Sequence, residues 1–119
     1  MAIADDDLAA AGDLLAGGRA GWVLFACQQA MEKALKALLT RQKGQLPPRT
    51  HDLLALARES GLELPMPLAT LLADLTVYYT QARYPDRPSG FSEHPHLEKV
   101  RACFEQTKEF VQWVKTKLG

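Results

Sequence analysis

The sequence predicts an all-α protein, an up-and-down bundle of four to five helices. Three observations predict it. Apolar residues recur every three or four positions through five segments. No stretch alternates apolar and polar residues for long enough to make a strand. Leu75-Thr76-Val77-Tyr78-Tyr79 is the one β-favouring run, and it sits inside a helical period. Clusters of glycine and proline separate the segments and leave short connections, which suit antiparallel neighbours.

The first helix is expected over residues 4–17, with Leu8, Ala11, Leu14 and Leu15 on one side. Asp5, Asp6 and Asp7 lie near its start, where negative charge complements the helix dipole. Gly17, Gly18 and Gly21 mark the first break. The second helix, residues 20–43, places Trp22, Phe25, Ala26, Ala30, Ala34, Leu35 and Leu38 along one stripe. It contains the strongest helix-forming run in the chain, ACQQAMEKALKALL at 26–39. Gly44, Pro47 and Pro48 end it. The third helix, residues 50–60, carries Leu53, Leu54, Leu56 and Ala57. Thr50 is its expected N-cap, Asp52 falls in its first turn, and Gly61 is its expected C-cap. The fourth, residues 67–82, carries Leu68, Leu71, Leu72, Leu75, Tyr78, Tyr79 and Ala82. Pro85, Pro88, Gly90 and Pro95 mark the longest connection. The fifth, residues 96–118, spaces Leu97, Val100, Phe104, Thr107, Val111, Val114 and Leu118 by three or four. The two longest helices would each run roughly 30 Å.

The 119 residues are expected to form one domain, 1–119, with a core that needs no staples. Fourteen basic and fourteen acidic side chains cancel, so the chain lacks the basic excess of a protein that works mainly by gripping a phosphate backbone. The balance is uneven: residues 1–18 carry four aspartates and no base. Residues 32–51 carry Lys33, Lys36, Arg41, Lys43 and Arg49 against Glu32. That segment is either a local basic face or a solvated helix surface. Cys27 and Cys103 sit among apolar residues and read as small buried hydrophobes in a reducing compartment, neither a zinc site nor a redox pair. Acids stand where a signal peptide needs bases, and no apolar run approaches ~20 residues. A cytoplasmic protein that does not enter a membrane is expected.

The polar residues of the second helix raise the functional question. Gln28, Glu32 and Lys36 form one column at spacing four, and Gln29 and Lys33 another. Two readings stand. The column is surface decoration, with a Glu32–Lys36 pair worth ~0.3–0.5 kcal/mol on an exposed face. Alternatively, it is the wall of a binding site.

Three blocks bear on that choice: FACQQAMEKALKALL at 25–39, THDL at 50–53 and QARYPD at 81–86. In this order they resemble the HEPN domain family, helical domains of prokaryotic proteins and of some eukaryotic chaperones. Its pattern is an aromatic residue, QQA-x-EK-x-LKA-x-L, a downstream T-H-D-L, and A-R-Y-P before the last helix. The resemblance covers almost the whole chain. It implies a bundle of four to five helices that forms a homodimer or higher homo-oligomer. It also implies nucleotide binding and pairing with a minimal nucleotidyltransferase in a two-gene, toxin–antitoxin-like module. Some branches of the family are metal-independent ribonucleases with Arg-x(4–6)-His at the dimer interface, and others lack that motif.

The ligand-binding candidates are Glu32, Lys33, Lys36, His51, Arg83 and Tyr84. Arg83 and Tyr84 match A-R-Y-P. A guanidinium holds a phosphate through two parallel bonds, and a tyrosine stacks or donates. Arg83 is equally suited to capping helix carbonyls, or to reaching Glu32 or Asp52 across the bundle. His51, beside the expected cap, would meet an anion alongside free backbone N–H groups, or serve as a surface residue.

The catalytic candidates are Arg87 and His94, which satisfy Arg-x(6)-His. In a ribonuclease the arginine would steady the phosphate and the histidine would move protons. Pro88 and Gly90 in the spacer depart from the helical spacer of active members. No metal and no cofactor are expected. His94 and His96 have no evident third ligand, and Gly17-Gly18-Arg19-Ala20-Gly21 lacks phosphate-loop spacing. Trp22, Phe25, Tyr78, Tyr79, Phe91 and Trp113 exceed what a small core hides, so some are expected at a subunit interface.

The expected function is that of a HEPN-like oligomer that binds nucleotide, a minimal nucleotidyltransferase, or both. One alternative is an RNA-cleaving toxin using Arg87 and His94, and another is a non-catalytic assembly protein.

Overall fold

The computed structural model describes residues 2–80 and 96–118. Five helices follow one another: α1 (Ala2–Ala16), α2 (Ala20–Lys43), α3 (Leu53–Glu59), α4 (Met66–Thr80) and α5 (Leu97–Leu118). No strand occurs among the described residues, and Leu75–Tyr79 is helical. No described helix is long and apolar enough to cross a membrane.

α2 is the central helix. α1, α3, α4 and α5 each pack against it, while α1 also meets α5 and α3 meets α4. A helix enclosed by four others must be apolar on more than one stripe. Accordingly Val23, Leu24, Cys27, Met31, Leu35 and Leu39 are all buried around its circumference. The expected single stripe was therefore too narrow. It was also misplaced at its start, where Trp22 is 61% exposed and Phe25 41% exposed.

Leu53 and Leu56 of α3, Leu72 and Leu75 of α4, and Val100, Cys103, Phe110 and Val114 of α5 complete the core. Each such leucine contributes roughly 1.5–3 kcal/mol by leaving water. Cys27 and Cys103, distant in sequence, lie next to each other between α2 and α5, and the neighbouring Cys27 thiol and then burial push the Cys103 thiol up, so it stays protonated. Both behave as small core residues.

Turn chemistry sets the helix ends. α3 ends with Gly61 at φ +78°, one residue beyond the cap Ser60. Gly61 N–H donates to Arg58 O at 3.1 Å and Leu62 N–H to Ala57 O at 3.2 Å, the paired bonds of a Schellman motif. At its start, Asp52 rather than Thr50 is the N-cap: Asp52 Oδ1 accepts from Ala55 N–H at 3.2 Å. Thr50 acts one step earlier, its Oγ1 accepting from Asp52 N–H at 3.1 Å. α3 thus begins three residues later than the sequence suggested.

Candidate functional site

The polar column of α2 points into the bundle. Gln28 is fully buried and Glu32 is 6% exposed. This overturns the surface-decoration reading, which requires both to be solvated. Gln28 Nε2 donates to Glu32 Oε1 at 2.9 Å and to the backbone oxygen of His51 at 3.3 Å. Its own Oε1 accepts from Gln29 Nε2 at 2.8 Å. His51 Nδ1 lies 2.7 Å from Glu32 Oε1, and Lys36 Nζ lies 3.1 Å from Oε2. Glu32 therefore faces three partners from two segments.

Burial opposes ionisation of Glu32. Hydrogen bonds from Gln28, His51 and Lys36, together with the Lys36 charge, outweigh it and hold the carboxyl below its ordinary value. Glu32 is thus an anion at neutral pH, inside the fold and fully engaged. The column does bind something: the turn that precedes α3.

α4 supplies the other side of that turn. Thr76 Oγ1 donates to Leu72 O at 2.9 Å and accepts from Leu53 N–H at 3.1 Å. A threonine inside a helix uses its hydroxyl on its own preceding turn, and here the same oxygen also receives the first N–H of α3. Asp52 takes further donors of that turn through its side chain and its carbonyl, the latter accepting from Leu56 N–H at 3.1 Å. The N–H groups of Leu53, Ala55 and Leu56 at the helix start are thereby occupied.

An aromatic ledge adjoins the network. The His51 ring lies 5.1 Å from Tyr79, tilted by 47°. Tyr79 stacks on Phe25 at 5.3 Å and 27°. Phe25 meets Trp22 edge-on at 6.1 Å. Trp22, Phe25 and half the surface of the His51 side chain reach solvent.

Of the residues expected at a site, the structure brings Glu32, Lys36 and His51 together. Lys33 turns to α1 and pairs with Asp7 at 2.8 Å. Lys43 pairs with Glu59 at 3.0 Å, and Lys115 with Asp5 at 2.6 Å. Within residues 32–51, Lys33 and Lys43 thus pair with acids from neighbouring helices and Lys36 with Glu32 of its own helix. Arg83, Tyr84, Arg87, Phe91 and His94 lie outside the described residues.

Gln28, Thr76 and Tyr79 were not among the expected site residues. Gln28 was legible as the next step of the column. Thr76 was legible as a helix-interior threonine, and Tyr79 had been read only as an interface aromatic.

The HEPN domain family matches residues 1–117. The solved structure of ST0689, an archaeal HEPN homologue, is similar at 27% identity and a TM-score of 0.77, over 98% of this chain and 92% of that one. No curated protein matches significantly. A family match that runs from α1 through α5, on a fold superposable over nearly every residue, makes this chain a member of the HEPN domain family.

Proposed function

We propose that this chain is an oligomeric binding protein that takes up a nucleotide, a minimal nucleotidyltransferase, or both, at the face built by Glu32, Lys36 and His51. The observation that carries this reading is the border His51 occupies. On one side is a buried, fully paired anion, and on the other a run of half-buried Tyr79 and exposed Phe25 and Trp22. Aromatic faces bind bases with little regard to sequence. A rigid polar floor beneath them limits the cost of ordering the site on binding. HEPN domains commonly form dimers, and the exposed Trp22 and Phe25 suit either a ligand or a second subunit. In the proposed two-gene module, that same face is where a nucleotidyltransferase partner would dock.

The test is titration of the purified protein with nucleoside triphosphates and with a co-expressed nucleotidyltransferase, followed by calorimetry and light scattering. Arg83→Ala is expected to weaken binding with helicity intact. If it lowers the melting temperature and leaves binding alone, Arg83 belongs to the fold. The Arg87–His94 spacing supports a second reading, RNA cleavage. Cleavage lost in His94→Ala would replace the first reading with the second.

A further inference from the structure

His51 has a defined tautomer because its partner cannot donate. Glu32 is held as a carboxylate by Gln28 and Lys36, and a carboxylate only accepts. The 2.7 Å contact with His51 Nδ1 therefore places the ring proton on Nδ1. In the neutral imidazole the lone pair is then on Nε2. Glu32 is buried while the His51 side chain is 48% exposed, so the Nδ1 edge is the inner one and Nε2, on the other side of the ring, is the nitrogen left for solvent or a ligand. Water satisfies Nε2 at no cost in the free protein. A flat ligand on the ledge displaces that water and must replace its hydrogen bond.

We propose that His51 Nε2 is a specificity-determining acceptor, selecting flat rings that carry an N–H donor, such as aminopurines, over the same rings without one. This rests on the ligand-binding reading above and adds to it which ligands are preferred. Stacking on Phe25 and Trp22 treats both kinds of ring alike, because both have a π-face. Only the acceptor separates them. Lys36 and Gln28 do not compete for the ligand, since both are committed to Glu32. One hydrogen bond at a half-exposed position corresponds to about a five- to tenfold preference.

The experiment has two arms on the full chain. Long-range 1H–15N spectra, with His51 assigned by comparison with His51→Gln, report the tautomer. Nδ1 protonated and Nε2 bare is expected at about pH 8, and the opposite tautomer overturns the inference. Calorimetry then compares adenosine with purine riboside, which lacks the amino group. Adenosine is expected to bind about five- to tenfold tighter. His51→Phe keeps a flat ring without the acceptor and is expected to bring adenosine down to the purine riboside level. His51→Gln donates to Glu32 and still accepts, and is expected to keep part of the preference. Equal binding of the two nucleosides by the wild type overturns the inference and leaves the ligand-binding reading intact. Binding of neither overturns the inference, and failure of nucleoside triphosphates to bind as well overturns the nucleotide part of that reading.

Discussion

Glu32→Ala separates a buried keystone from a surface ornament by the size of its effect. The substitution removes the acceptor shared by Gln28, His51 and Lys36. Gln28 is fully buried and has no water to turn to, so its lost bond costs about 1–3 kcal/mol. Lys36 is 23% exposed and His51 48% exposed at the side chain, so both regain water. Screening and resolvation reduce each of their contributions to a few tenths up to ~1 kcal/mol. The sum is about 2–4 kcal/mol.

Urea unfolding followed by far-UV circular dichroism measures it. With a slope of about 1.3 kcal/mol per molar urea for a chain of this size, the midpoint is expected to fall by about 1.5–3 M. Glu32→Gln keeps the volume and one acceptor oxygen, so about half that loss is expected. An exposed i,i+4 pair predicts ~0.3–0.5 kcal/mol instead. A midpoint shift under about 0.5 M for the alanine variant would refute the network as a stabilising element.

Other outcomes follow from the same fold. Gly12 lies inside α1, and an added Cβ would meet Phe104 Cζ at an ordinary 3.5 Å. Gly12→Ala is therefore expected to stabilise by about 0.5–1 kcal/mol, raising the melting temperature by roughly 3–6 °C. Gly61 sits at φ +78°, so Gly61→Ala is expected to destabilise by about 1–2 kcal/mol in the same assay, with no repacking nearby to offset it. The lowered pKa of Glu32 makes its contribution fully present above its ordinary value of 4.5 and lost as pH falls through the lower folded value. Urea midpoints at about pH 6 and pH 3.5 are expected to fall further in the wild type than in Glu32→Gln. Cys27 and Cys103, 0% and 1% exposed, are expected to resist a thiol reagent in the native protein and both to react in urea. Rapid native labelling of either would contradict their burial.

Five helices were legible because each apolar series has the helical period, and α2 and α5 were placed to within a residue. Gly61 was legible because its left-handed backbone favours a residue without Cβ. The start of α3 was not legible. Thr50 and Asp52 are both good caps, and the choice between them depends on Thr76, which reaches Leu53 from α4 across 23 residues. The burial of Glu32 was hidden for a related reason. Gln28, Glu32 and Lys36 look like a solvated column until α3 is known to be held against it through His51. Tertiary contacts decided both cases, and a single stretch of sequence carries no record of them.

The same contacts tie the candidate site to the fold. α3 has seven residues, two turns, too short to persist by itself in water. At its start it is held by His51 on Glu32, by Gln28 on the His51 carbonyl and by Thr76 on Leu53. At its end Gln42 Nε2 donates to Ser60 O at 2.9 Å and Lys43 pairs with Glu59. The polar residues of α2 are therefore both the floor of the proposed site and the clasp on α3. A Glu32 variant that loses binding has an ambiguous cause, because α3 and His51 move with it. His51→Gln does not share that ambiguity, since the clasp uses Nδ1 and the backbone carbonyl, whereas His51→Phe removes the Nδ1 bond together with the acceptor. His51→Gln keeps both of those bonds available while changing the outward face. Retained helicity with altered ligand preference in that variant, set against joint loss in Glu32→Ala, would distinguish a residue that reads the ligand from one that holds the reader in place.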